Sequence, residues 1–320
     1  MPIDWPRFAE IVDRHEHFLL TSHIRPDCDA LGSELGMAGV LRARGKTVQI
    51  VNGQATPPNL AFIDPHGEIQ ALGVDVSVDQ LLGTEVLMIL DTSAWAQLGP
   101  MGEVVRGTTG LKLVVDHHVS EDELGALPFK DTTAEAAGRL VLDAARVLEV
   151  PLTPEIATPL FAAIATDTGW FRFGSTNPRT YRAAAELREG GARPDEIFAA
   201  LYEQDTLGRV RLRGRILART EAELEGRLVH TFVRREDFPE TGALPSDTED
   251  VVNMTLAIAG AEFAVIVVEQ ASGGCKISFR SRCSLDCSEL AGRFGGGGHK
   301  AAAGAFVDRP VDEARGEVLD

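Results

Sequence analysis

The chain has 320 residues, 44% of them hydrophobic and 25% charged, which excludes a disordered or fibrous polypeptide and leaves room for two cores. A formal net charge of −17 excludes a surface built to hold long nucleic acid, except where metal ions or clustered arginines reverse the sign locally. No apolar run is long enough for a membrane span, since the longest, AIAGAEFAVIVV, carries Glu262 in its middle.

The N-terminal MPIDWPRFAEIVDRHEHF lacks the basic start and apolar stretch of a secretory signal, so a cytoplasmic location is expected. Cys28, Cys275, Cys283 and Cys287 have no metal-binding spacing and read as reduced thiols. HFLLTS (17–22) then predicts a strand, and the small-residue stretch 30–44 a helix stopped by Gly45. KTVQIVN, EVLMIL (85–90) and LKLVV (111–115) follow as strands, the last two with the unbroken apolar character of buried parallel ones. Helices are predicted near 133–149 and 154–166. The alternation indicates an α/β fold, a parallel sheet with helices on both faces, spanning 1–190.

Residues 191–215 are expected to connect this domain to a second, 216–320. Arg209, Arg211, Arg213 and Arg215 lie there at alternate positions, which do not share one side of a helix, so they read as a solvated face. Strands near 228–233, 263–270 and 276–282, with helices near 248–259 and 286–294, describe a smaller α/β domain.

Four polar clusters stand out. His23, Asp27 and Asp29 follow the first strand, Asp91 follows EVLMIL, Asp116-His117-His118 follows LKLVV, and Asp167 ends a helical run. In open α/β sheets ligands bind at the carboxyl ends of strands, so this topology gathers the residues at one crevice. So many carboxylates and imidazoles would repel unless cations sat among them, and the absence of thiolate suits Mn²⁺ or Mg²⁺. Two ions ~3.5–4 Å apart would use this donor set and suit phosphoryl transfer. Each part alone has a plainer reading: Asp91 before Thr92-Ser93 as a turn residue, the paired histidines as loop residues. Cys28 could bind a soft metal, but the alternation points it away. The joint pattern carries the signal.

A fifth cluster lies in KISFRSRCSLDCSELAGRFGGGGHKAAAGA. Arg280 and Arg282 share a strand face and could grip a phosphate. Gly296, Gly297 and Gly298 allow a close backbone approach to an anion before His299, and the small residues 301–304 allow tight packing behind.

The series His23-x-x-Pro26-Asp27-x-Asp29-Ala30-Leu31-Gly32-Ser33, Asp91, Asp116-His117-His118, Asp167 and Gly295–His299 resembles the DHH phosphoesterase family with its C-terminal DHH-associated domain. Length and the lack of extra domains resemble its nano-RNase branch. The resemblance implies an active site in the cleft between the domains. It implies one metal on His23, Asp27 and Asp91, and another on Asp29, Asp91, His117 and Asp167. Asp116 and His118 would orient ligands and the leaving group, leaving open which histidine of the pair binds metal. Arg280 and His299 would hold the substrate's phosphate or base.

The implied cofactors are two divalent ions, Mn²⁺ first, with Mg²⁺ or Co²⁺ as alternatives. The implied substrates are RNAs of about two to five nucleotides or adenosine 3′,5′-bisphosphate (pAp), with no long nucleic acid and no membrane partner; a homodimer is one assembly this allows. A cyclic or linear dinucleotide phosphodiesterase is the alternative activity, and a non-catalytic nucleotide sensor a third reading.

Overall fold

In a computed structural model, residues 3–320 are described, and the chain divides into two compact units between Glu203 and Gln204. The first runs α1 (Trp5–Arg14), β1 (His17–Thr21), α2 (Cys28–Ala43), β2 (Thr47–Asn52), β3 (Ile69–Ala71), α3 (Val78–Leu81) and β4 (Val86–Leu90). It continues through α4 (Trp95–Leu98), α5 (Met101–Gly107), β5 (Leu111–Asp116), β6 (Leu127–Lys130), α6 (Ala137–Val147), α7 (Pro154–Asp167), α8 (Pro178–Glu189) and α9 (Pro194–Tyr202). Its six strands form one parallel sheet in the order β3-β2-β1-β4-β5-β6.

Both faces of this sheet are buried, and the strands show why their sequences read as continuous apolar runs. Val86, Met88 and Leu90 of β4 join the core under α1, α2, α6 and α7, while Leu87 and Ile89 join the core on the opposite face with Leu98, Met101 and Val104. The chain order reverses between β1 and β4, so the crevice where open α/β sheets place ligands opens at the ends of these two strands.

Helix α2 packs on α7 through small residues. A Cβ on Gly32 would stand 2.4 Å from the Pro159 carbonyl oxygen, so only glycine allows this approach. The antiparallel match, Gly32 on Pro159 and Gly39 on Ile156, sets the C-terminus of α7, and so Asp167, beside the N-terminus of α2.

The second unit contains α10 (Leu207–Ala218), β7 (Glu221–Glu223), β8 (Leu228–Val233), α11 (Asp237–Thr241), α12 (Val251–Leu256), β9 (Phe263–Glu269) and β10 (Cys275–Ser281). It ends with α13 (Cys287–Arg293), β11 (Gly297–His299), β12 (Ala302–Val307) and α14 (Val311–Leu319). The sheet order is β11-β12-β10-β9-β8-β7, antiparallel except for β8 beside β9. Alternate residues of β9 feed two cores: Val265 and Val267 pack with Ile277 and Phe279, and Ala264 and Ile266 with Leu212 and Ile216. The stretch expected to connect the domains, 191–215, carries two helices, α9 in the first unit and α10 in the second.

The glycine run, read from sequence for its close backbone approach to an anion, enters a strand. Gly297–His299 pairs with Ala302–Gly304, and a Cβ on Gly296 or Gly298 would stand 2.2 Å from the Gly304 carbonyl or 2.6 Å from Ala303 Cα. Close backbone packing demands those glycines. No helix among the described residues is long and apolar enough to cross a membrane.

Candidate metal centre

The end of β1 is held from both sides. The Ser22 amide donates to Asn52 Oδ1 at 3.1 Å, and the Ile24 amide to the Gln97 carbonyl at 2.7 Å. His23 between them has Nδ1 3.0 Å from the Ile24 carbonyl, a contact that requires a proton on Nδ1 and makes Nε2 the nitrogen a cation would meet. That nitrogen lies 3.3 Å from Asp91 Oδ2 and 4.0 Å from Asp27 Oδ1. Asp27 caps α2, accepting from the amides of Asp29 and Ala30 at 2.9 and 3.1 Å. Asp29, in the first turn of α2 and 1% exposed, accepts from the Ala137 and Gly138 amides at the start of α6, at 2.7 and 2.8 Å.

Asp91 closes β4 with φ of +61°, a left-handed conformation that costs a non-glycine residue energy and clusters at functional sites. It is 2% exposed, and among the described residues its Oδ1 has no hydrogen-bond partner. Such an atom carries a full desolvation penalty unless something meets it. His117 Nδ1 faces the Ala134 carbonyl at 3.3 Å, so Nε2 is again the nitrogen turned to the cluster, 3.4 Å from Asp91 Oδ1 and 3.6 Å from both Asp29 Oδ2 and Asp167 Oδ2. His118 is committed differently: its Nδ1 is 2.9 Å from Asp116 Oδ1, and its amide donates to the same oxygen at 3.1 Å. Asp116, 0% exposed, also accepts from Ser93 Oγ at 2.6 Å and pairs with Lys130 at 3.2 Å.

Three sets of donors converge: His23, Asp27 and Asp91; Asp29, His117 and Asp167; Asp91, His117 and His118. Their nitrogen–oxygen separations of 3.3–4.0 Å are mostly too long for hydrogen bonds. Ligands each ~2.1 Å from a shared ion stand roughly 3–4 Å apart, so the spacing fits divalent cations. Electrostatics agree. Burial opposes charge on His23, but its hydrogen bond to Asp91 and the nearby carboxylates outweigh this and raise it to about 9. His117 rises to about 9 against the same opposition, through Asp91, Asp29 and Asp167. Burial, then the charge of Asp91, pushes Asp29 well above its usual range. Asp116, despite burial, is drawn down to about 2 by His118 and Ser93.

The cluster therefore contains His23, Asp27, Asp29, Asp91, His117 and Asp167, with Asp116 and His118 beside it. A cavity of about 240 Å³ adjoins it, lined also by Thr92, Ser93, Gln97 and Ser120. Those four, and Lys130, went unread in the sequence; Thr92-Ser93 had been legible only as a turn after Asp91. Cys28 lies in the core and in none of the three sets, its thiol pushed up to about 12 by burial. In the second unit Arg280 is half-buried with Nη1 donating to the Phe279 carbonyl at 3.0 Å, while Arg282 and His299 are exposed.

Known proteins share this layout. The family description "DHH family, N-terminal domain" matches residues 17–164, and "DHHA1 domain" matches 225–320. A bifunctional oligoribonuclease and PAP phosphatase of Thermus thermophilus is 32% identical over 94% of this chain and 87% of its own length. Its namesake from Bacillus subtilis is 26% identical over 92% of this chain and 91% of its own. The crystal structure of an exopolyphosphatase-related protein from Bacteroides fragilis superposes with a TM-score of 0.82 at 25% identity, covering 98% of this chain and 94% of that one.

Proposed function

This chain belongs to the DHH family and is a phosphoester hydrolase; from that premise we propose that it uses two divalent ions to cleave very short oligoribonucleotides and pAp to mononucleotides. The observation that carries the reading is Asp91, a buried, strained acid with an orphaned oxygen, common to two overlapping donor sets. His23, Asp27 and Asp91 would hold one ion, and Asp29, Asp91, His117 and Asp167 the other. His117 is assigned as the ligand of the histidine pair because its Nε2 meets three carboxylates, whereas Asp116 has claimed His118 Nδ1. Mn²⁺ suits the mixed nitrogen and oxygen donors, with Mg²⁺ or Co²⁺ as substitutes. Bound there, such ions polarise phosphoryl oxygens and bring the pKa of water toward neutrality.

The protein's own groups do the rest. Main-chain carbonyls hold the His23 and His117 tautomers, and the amides of α6 hold Asp29. Asp116 turns His118 Nε2 outward on a side chain that lines the cavity, where it can meet a phosphoryl or leaving-group oxygen. Arg280 and His299 would anchor the substrate's phosphate or base, assisted by Arg282 and by the Gly296, Gly297 and Gly298 backbone. The small cavity and the net charge of −17 favour short substrates, and the relatives' names supply the two classes. Four free cysteines support a cytoplasmic setting.

The test is product release from pAp, a linear dinucleotide and a cyclic dinucleotide, with Mn²⁺ and with chelator. Metal-dependent turnover of the first two bears out the reading. Turnover of the cyclic substrate alone would replace it with a cyclic-dinucleotide phosphodiesterase, and full activity in chelator would end the two-metal account.

A further inference from the structure

Strand β6 ends on Lys130, whose side chain is 10% exposed. Its ammonium lies 2.7 Å from Ser93 Oγ, 3.1 Å from the Ser120 carbonyl, 3.2 Å from Asp116 Oδ2 and 3.4 Å from Glu121 Oε2. An ammonium only donates, so Ser93 must accept from it and direct its own proton elsewhere. Asp116 Oδ2, at 2.6 Å, is the nearest acceptor. The other oxygen of Asp116 faces the amide and Nδ1 of His118. One cation thus sets the direction of a chain running Lys130, Ser93, Asp116, His118, in which each hydrogen bond polarises the next. The chain joins the segment after β4 to the segment after β5, and Ser93, Ser120 and His118 all line the cavity.

We propose that Lys130 is a positioning residue for the phosphoester reaction: through Ser93 and Asp116 it fixes the orientation of His118 and ties together the two segments that wall the cavity. The inference rests on reading the site as a phosphoesterase centre. A lysine that merely neutralised a buried acid would affect stability alone; one that positions His118 must affect turnover through Asp116.

The experiment is a double-mutant cycle on the full chain with saturating Mn²⁺, using bis(p-nitrophenyl) phosphate and pAp. Lys130→Met should lower kcat at least tenfold, with KM and Mn²⁺ affinity each within twofold of wild type. Asp116→Asn should lower kcat too, and the double variant should fall no further than Asp116→Asn alone. A Lys130→Met kcat within twofold of wild type, losses that multiply in the double variant, or a loss explained by weakened Mn²⁺ binding would each overturn the proposal. Should Lys130→Met not fold, the double variant leaves no orphaned charge and is compared with Asp116→Asn directly: equal kcat supports the chain of action, and a further tenfold drop refutes it. Wild type inactive on every phosphoester would strike the functional reading itself.

Discussion

Asp91 in the first unit and Asp237 in the second are both buried acids, 2% and 0% exposed, held in opposite ways. Asp237 is matched by what the fold supplies. Arg219 grips both of its oxygens, Arg215 reaches Oδ1 at 3.3 Å, and the Arg234 amide donates to Oδ2 at 2.8 Å. Burial alone would raise its carboxyl, but Arg219 and the Arg234 amide outweigh that and lower it. The linker-region arginines repeat the pattern, Arg209 and Arg213 both closing on Asp205. Around Asp91 no arginine or lysine among the described residues balances the charge; imidazoles stand at 3.3–3.6 Å and one oxygen is orphaned. A buried charge whose partners the chain provides builds structure, whereas one left short of partners marks where an external cation belongs.

The sharpest way to break this contrast is to delete each acid. Asp91→Ala removes the ligand proposed to be common to both ions, so kcat should fall on the order of a thousandfold or more, with folding retained. Asp237→Ala orphans the Arg219 guanidinium, while Arg215 keeps Glu240, and should cost about 2–4 kcal/mol of stability while the folded fraction keeps its turnover. Urea melts and active-site-normalised kcat measure both. A thousandfold kcat loss in Asp237→Ala, or near-normal turnover in Asp91→Ala, would dissolve the distinction.

The same contrast explains what the sequence revealed and what it hid. Asp91 and Asp116-His117-His118 were legible because each ends an unbroken apolar run that reads as a buried strand, and His23 because it follows the strand pattern HFLLTS. Lys130 was not, because β6 is only four residues, LPFK, with a proline inside it, too short and too interrupted to read as a strand. Strands β11 and β12 were hidden by Gly297, Gly298, Ala302, Ala303 and Gly304, residues chosen for backbone proximity rather than strand propensity. Helix α1 did carry a signal, Asp4 capping through the Arg7 amide at 3.0 Å with Pro6 in the first turn, in a stretch read only for a secretory signal.

Metal addition gives the next effect in size. Mn²⁺ at a hundred times its Kd should stabilise the first unit by about 2.7 kcal/mol per independent site, seen as a higher melting temperature, and Asp91→Ala should show far less. Arg280→Ala or His299→Ala should weaken substrate binding by ~1.5–3 kcal/mol with Mn²⁺ affinity unchanged, checked by KM and metal titration. Loss of an ion in His299→Ala would overturn this division of labour.

The pH response is smaller and of known sign. His23 and His117 titrate near 9 in the metal-free protein, above the usual 6.5. Their protonated forms stabilise the metal-free cluster most fully below pH 6.5, and that contribution is lost as pH rises through 9. An ion must displace those protons, so apparent Mn²⁺ affinity should climb from pH 7 and level off near 9. Asp237 has a lowered carboxyl, so its ion pairs contribute above the ordinary range near pH ~4 and fail only as pH falls below it. Calorimetric titration across pH 6.5–9.5 and acid melts separate the two.

The most direct test counts ions. Manganese titration followed by electron paramagnetic resonance should find two Mn²⁺ per wild-type chain, magnetically coupled through Asp91. Asp27→Ala should lose one ion and Asp91→Ala should lose the coupling and weaken both. A single ion per wild-type chain, or two coupled ions persisting in Asp91→Ala, would contradict the account at its centre.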